Sequence, residues 1–397
     1  MQASTPRPRF GLVLAVTLLS LAYLVFAGST AHLMLAARAV PHAQVMTATQ
    51  ELPQSDFGLF WCAGKGLAAK AAARFGLAGP DAAYQNICQI NILADDAPRR
   101  LAWPYPPPMG FLVVPFSFIP LAASFWVWRL FSLVVAVWLL RWAGLGWVVI
   151  AAGLLSPAAW HDMEGGQNGT LTGAVLIAAL LLAAERPRAA GVLAGFLLLK
   201  PQLGILLPAT IWRRGGAQLV FFGAVTALIL LLASLAVWGP GQWAWFLRVA
   251  GPDEMRTSAL PFSSFFPAAG ITIYDMARSF GAAPHLAWLC QIMSALLALA
   301  LIFAGWRDGV MQPVPRMAFT VSLGLLVMPH GFSYDLVAFS TGLAGLFLRA
   351  GGWERFILAL LWLMGGYTIT CADYTGLLLF PLWAACGAAM AWRLRAV

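Results

Sequence analysis

Residues 185–214 read ERPRAAGVLAGFLLLKPQLGILLPATIWRR. Both ends are basic: Arg186 and Arg188 come before the apolar run, Arg213 and Arg214 after it. At the centre stand Lys200, Pro201 and Gln202. A single lipid-facing helix would hold an ammonium in hydrocarbon, and the proline would remove a backbone donor and clash with the preceding turn. Two half-helices of about ten residues would each rise ~15 Å, half of a hydrocarbon core of about 30 Å. The run 189–212 is therefore read as a re-entrant helical hairpin, entering and leaving from the cytoplasm with Lys200 near mid-membrane. One continuous helix is the alternative, and it would invert everything downstream.

The remaining sequence places this segment in a membrane. Of 397 residues, 61% are hydrophobic and 10% charged, and mean hydropathy is +0.80. Soluble domains carry roughly a quarter charged residues, so the fold class is an all-α polytopic membrane protein. The net charge of +9 fits basic cytoplasmic loops better than nucleic-acid binding. Eighteen Trp fit interfacial belts. Arg7 and Arg9 precede an apolar run, 10–37, that is too long for a signal-peptide core and suits a retained anchor.

Further apolar runs follow at 110–140, 143–160, 170–184, 217–238, 285–305, 315–329, 335–348, 353–370 and 375–392. At roughly 20 residues per crossing they predict about ten transmembrane helices besides the hairpin, in one integral membrane domain over 1–397. The short runs near 165 and 330 are expected to end inside the protein. With both termini cytoplasmic, Arg141, Arg186, Arg188, Arg307, Arg349, Arg393 and Arg395 fall inside. Asp56, Asp81, Asp95, Asp96, Asp162, Glu164, Asp253, Glu254, Asp275, Asp335 and Asp373 then fall outside. Two extracytoplasmic loops, 38–108 and 239–284, carry Trp and apolar faces, the latter with an amphipathic run 268–280, and are expected to lie along the membrane. Cys62 and Cys88 share the first loop, either as a disulfide or as two thiols.

Four polar clusters converge on the outer side in this topology. Asp56 precedes an apolar helix, either as a catalytic carboxylate or as a plain N-cap in a wet loop. The stretch 161–168 (His161, Asp162, Met163, Glu164, Gly165, Gly166, Gln167, Asn168) reads as a polar turn; its alternatives are a solvated hairpin and a metal site from His161, Asp162 and Glu164. Asn168-Gly169-Thr170 matches a glycosylation sequon that abuts a membrane helix and reads as a chance match. Lys200 reaches up from the hairpin. The turn 329–335 offers His330 and Asp335, as ligands or as caps or a structural pair. A lipid-linked sugar would use these parts together: a cation for its phosphate, a carboxylate base for the acceptor hydroxyl, and an apolar groove for its tail.

The order of short motifs adds a resemblance. An early Asp56-Phe57 is followed by Trp103-Pro104-Tyr105-Pro106-Pro107-Pro108. Then come Gly166-Gln167-Asn168 opening a helix, Gly191 to Gly195 running into Lys200-Pro201, and Pro329-His330. Over roughly residues 50–345 this resembles glycosyltransferase family 87, whose members include polyprenyl-phosphate-mannose-dependent mannosyltransferases. The resemblance implies a GT-C fold and inverting transfer of a hexose, with mannose foremost, from a polyprenyl-phosphate-sugar donor to a lipid or glycan acceptor on the outer face. It implies Asp56 as general base and His330 on the phosphate side. Lys200, Gln167, Asn168, Tyr105, Glu164 and Asp335 join them as expected substrate-binding residues. The expected location is a bacterial inner (plasma) membrane. No cofactor is expected, because the lipid-linked sugar phosphate is itself a substrate, and no essential metal, because Lys and His can balance a single phosphate; the turn 161–164 keeps a divalent metal open. The expected partners are that donor, the acceptor and membrane lipids. A secondary transporter or lipid flippase is the rival, since an intramembrane Lys in a broken segment suits a midplane site; a non-catalytic assembly subunit is the third reading.

Overall fold

The computed structural model describes residues 56–77, 90–91, 101–212, 215–258, 270–370 and 380–397. The apolar run 10–37, Asp81, Cys88, Asp95, Asp96, Arg213, Arg214 and Asp373 lie outside the described residues. Cys62 is disulfide-bonded. The described fold is helical apart from one two-residue parallel pair, β1 (Ile90–Asn91) with β2 (Leu101–Ala102).

The first helices show how proline divides apolar runs. After α1 (Phe57–Arg74), the run 110–140 becomes α2 (Met109–Ser117) and α3 (Leu121–Trp142). They part at Pro120, which is extended (ψ 141°). The run 143–160 divides likewise into α4 (Trp147–Leu154) and α5 (Pro157–Gly165). There the Ser156 side chain accepts a hydrogen bond from Ala159 N at 3.2 Å, and Pro157 occupies a helical position that needs no N–H. The expected turn over 161–168 is thus helical through residue 165, and α5 is too short to span a bilayer.

Next come α6 (Gly169–Leu182), α7 (Pro187–Phe196), α8 (Pro201–Gly204) and α9 (Gly216–Trp238), with 3-10 turns at Leu197–Leu199 and Leu207–Trp212. Glycine contacts fix the path. Gly191 lies against Leu219 and Phe222, and Gly195 against Gly223 and Thr226. Both partners advance together, so α7 and α9 run parallel. Their starts also meet, since a Cβ on Gly215 would lie 2.7 Å from Pro187 Cγ. Two parallel helices that start side by side require the chain between them to turn back. The returning limb is Leu207–Trp212, whose Thr210 and Ile211 abut Gly216. The segment therefore folds as a hairpin with Lys200 (φ −142°, ψ 76°) at its apex.

The chain continues through α10 (Pro240–Trp245), a π-turn at Phe246–Ala250, α11 (Gly251–Ser258), α12 (Ile273–Ser279), α13 (Pro284–Arg307), α14 (Pro313–Val327), a 3-10 turn at Ser333–Leu336, α15 (Val337–Phe347), α16 (Gly352–Thr370) and α17 (Phe380–Arg393). Among the described residues, the amphipathic run 268–280 contributes α12. Thr272 caps it, exchanging hydrogen bonds with Asp275.

Among the described residues, α3, α9 and α13 are long and apolar enough to cross a membrane. Their outer faces are bare hydrocarbon: Phe221, Leu228, Ile229 and Leu232 on α9, Leu289, Ile292, Leu296 and Leu297 on α13. That is what a lipid-facing helix presents. By contrast α6, α14 and α15 are buried almost throughout. A second, aromatic core of Phe57, Phe60, Trp61, Trp103, Trp128, Trp238 and Trp245 seats α1 on the bundle, and that seat positions the site.

Candidate functional site

Asp56 stands at the first turn of α1. Phe57 and Phe60 are buried just after it, with Phe57 against the rings of Phe125 (5.8 Å) and Trp128 (5.9 Å). The N-cap alternative does not form: Asp56 is already helical (φ −66°, ψ −14°) and its side chain makes no capping bond. With the backbone wound that way the carboxylate swings off the helix end. Gln167 Nε2 donates to Asp56 Oδ2 at 2.8 Å instead. Asp56 as a whole residue is exposed, yet its carboxylate points inward to Gln167. Loss of hydration there raises its pKa, while the Gln167 hydrogen bond pulls the other way.

The turn that carries Gln167 is rigidly made. Gly166 ends α5 in the left-handed region (φ 65°), which a side chain strains and glycine does not. Trp128 Nε1 donates to the Gln167 carbonyl at 3.1 Å. Asp162 accepts from Gly169 N (2.6 Å) and Thr170 N (2.9 Å), capping α6 with both oxygens. Each of those oxygens is engaged by a backbone donor; among the described residues no group of three His, Cys, Asp or Glu is placed to hold an ion. Asp162→Ala should cost about 2 kcal/mol of stability through two uncapped donors, with Asn restoring part of it; thermal melts of the purified variants check this. His161 Nδ1 lies 3.1 Å from Ser333 Oγ, and burial pushes its pKa down to about 4. It is neutral near pH 7 and unsuited to balancing a phosphate. For Glu164, burial raises the pKa and the nearby charge of Arg129 lowers it. Asn168 is buried at 1%, which leaves no room for a glycan at the sequon.

Lys200 and Asp335 were expected as separate ligand contacts, and the structure pairs them with each other. Lys200 Nζ donates to Asp335 Oδ1 in a buried ion pair. The same ammonium lies 3.4 Å from Asn168 Oδ1 and 5.2 Å from the Tyr334 ring centroid. Asp335 Oδ2 accepts from Phe332 N at 3.2 Å, so the carboxylate also shapes the 329–335 turn. A mid-bundle ammonium needs such a partner, and with its charge balanced Lys200 is a poor lone cation for a ligand. The two clusters are joined through the chain: Gln167 holds Asp56, and the next residue, Asn168, holds Lys200.

A cavity of about 150 Å³ opens beside this pair, lined among others by Tyr105, Lys200, Gln202, His330, Tyr334 and Asp335. Tyr105, which lines it, packs edge-on against Phe60 of α1 (5.4 Å). Sequence reasoning missed Tyr334, Gln202 and Phe246 as lining residues. Tyr334 and Gln202 lie within motifs already singled out, and a rule that takes whole turns rather than their charged members would have found them. Phe246 carries no signal, because the π-turn that delivers it is not legible beforehand. At the opposite end of the bundle, Glu185, Arg349 and Val397 line a separate cavity, so the polar groups of 56, 167–168, 200 and 330–335 share one end.

Long apolar helices, a folded-back hairpin and a one-ended polar cleft define a helical membrane protein with its polar groups gathered at one end of its bundle. Residues 103–329, more than half of the chain, match Glycosyltransferase family 87; the chain belongs to that family and is a membrane glycosyltransferase, acting between a sugar donor and an acceptor. The matched span contains Tyr105, Glu164, Gln167, Asn168 and Lys200, whereas Asp56, His330 and Asp335 fall outside it. No match was found among curated proteins or among solved structures.

Proposed function

We propose that this chain is a GT-C glycosyltransferase with about ten crossings, moving a hexose, mannose foremost, from a polyprenyl-phosphate donor to a lipid or glycan acceptor on the extracytoplasmic face of a bacterial inner membrane. Asp56 accepts the proton of the acceptor hydroxyl. The freed oxygen attacks the anomeric carbon from the side opposite the phosphate. The bond from that carbon to the phosphate oxygen breaks, the polyprenyl phosphate leaves with the electron pair, and the configuration inverts. His330, on the cavity wall and outside the Lys200–Asp335 pair, is the phosphate-side group. Tyr105 and Tyr334 offer ring faces to the sugar. Lys200, Asn168 and Asp335 form the floor that holds the 167–168 turn.

The observation that carries this reading is the Gln167–Asp56 hydrogen bond. It ties a desolvated carboxylate to the turn whose next residue, Asn168, meets Lys200 on the cavity wall, and a carboxylate of raised pKa is a stronger base. The pH profile tests it. Activity requires ionised Asp56, so kcat/KM should climb with pH through an ionisation above the ordinary carboxylate value of 3.8. The Gln167 bond lowers that ionisation. Gln167→Leu should therefore move the acid limb to higher pH and lower the plateau by about tenfold. An unmoved acid limb would remove Asp56 from the role. For the transporter reading, labelled sugar would accumulate in proteoliposomes with no covalent product.

A further inference from the structure

Arg129 is a charged side chain that the reaction does not use. It sits on α3, among Trp126, Val127 and Leu130, whose side chains are bare on the helix surface. Its guanidinium lies over the rings of Phe125 (5.1 Å) and Trp126 (4.7 Å). Helical side chains lean toward the helix N-terminus, so residue 129 reaches back over its own i−4 and i−3 neighbours, toward the end of α3 that begins at Pro120. Eight residues place its Cα about 12 Å from that end, and a long side chain brings its charged head closer still to a headgroup layer. Among the described residues, the guanidinium makes no hydrogen bond and has no carboxylate within salt-bridge distance; Glu164 acts on it only at longer range.

Its neighbours set its place in the site. At the C-terminal end of α5, Glu164 is the acid whose charge acts on Arg129, and a Cβ on Gly165 would lie 3.8 Å from Asp56 Oδ2. Gln167 then bonds Asp56 and Asn168 bonds Lys200. Arg129, Asp56 and Lys200 are thus laid out in that order along five residues. The Phe125 shelf beneath Arg129 also packs on Phe57, the residue after Asp56.

A cation on an apolar face needs a counter-charge. Stacked on its aromatic shelf, the guanidinium keeps its planar fork of donors for a phosphate. We propose that Arg129 seats the phosphate of an outer-leaflet lipid, whose tails run down Trp126, Val127 and Leu130, on the side of Asp56 away from Lys200. The occupant is a bilayer phospholipid, held through its phosphodiester; a phosphate-bearing lipid acceptor at the same seat is the other outcome of the test.

Native mass spectrometry of the full chain in detergent, with dioleoylphosphatidylglycerol, dioleoylglycerol and inorganic phosphate as probes, tests this. Wild type should retain one phosphatidylglycerol, Arg129→Gln about tenfold less, and Arg129→Lys an intermediate amount. Neither dioleoylglycerol nor displacement by inorganic phosphate should be seen. Equal retention by Arg129→Gln, equal retention of dioleoylglycerol, or displacement by inorganic phosphate would each overturn the assignment. A melting curve of Arg129→Gln that overlays wild type reports that the variant is folded. Competition of phosphatidylglycerol with a lipid acceptor in a transfer assay assigns the seat to the acceptor; its absence assigns it to the bilayer. The binding measurement needs no sugar transfer, so it stands or falls separately from the proposed reaction.

Discussion

Asp56→Asn should reduce sugar transfer by about 10²–10⁴-fold, the range that loss of a general base produces. The substitution keeps the shape of the side chain and leaves an amide that still meets Gln167, so the fold and donor binding should persist. Donor KM should stay near wild type while kcat falls. The reason lies in the geometry: the Asp56 carboxylate is held at 2.8 Å by Gln167 rather than by the end of its own helix, and α1 is fixed beneath it by the buried Phe57 and Phe60. A transfer rate within a factor of about three of wild type would remove Asp56 from the reaction.

The second large effect concerns stability. Lys200 and Asp335 form a buried ion pair with side chains only 5% and 3% exposed. Removing one partner strands the other charge, which costs about 3–5 kcal/mol. Lys200→Met alone should therefore lower the apparent melting temperature sharply. The double variant Lys200→Met with Asp335→Leu should recover much of that loss, because two apolar groups in place of a buried pair are often near neutral. It should not recover activity, since Asp335 also shapes the turn that presents His330. Melting curves in detergent, read beside transfer assays, separate these outcomes; a double variant no more stable than Lys200→Met would mean that the pair is not the interaction lost.

Much of this arrangement is legible in the sequence, for identifiable reasons. Lys200-Pro201 between two basic ends is incompatible with one lipid-facing helix, so the hairpin follows from charge and proline alone. The convergence of 56, 161–168, 200 and 330–335 follows from sidedness. The partners within that cluster do not. Asp56 was legible as an acid at a helix start, but whether it caps the helix depends on a backbone torsion, and Gln167 wins by tertiary approach. Lys200 and Asp335 are 135 residues apart, and nothing local in the sequence pairs them. Asp162 reads as a member of a polar turn or of a metal site; that it caps α6 shows only in the positions of Gly169 N and Thr170 N. The subdivision of 110–140 and 143–160 was carried by Pro120 and Pro157, which hydropathy windows average away.

The most direct test of the central claim is incubation of the purified full chain with a polyprenyl-phosphate-mannose donor and a lipid and glycan extract, followed by mass spectrometry of both products. The proposed reaction predicts a hexose added to one acceptor, an equal amount of free polyprenyl phosphate, and neither with Asp56→Asn. Donor recovered intact beside wild-type protein, with no hexose-bearing product, would contradict it.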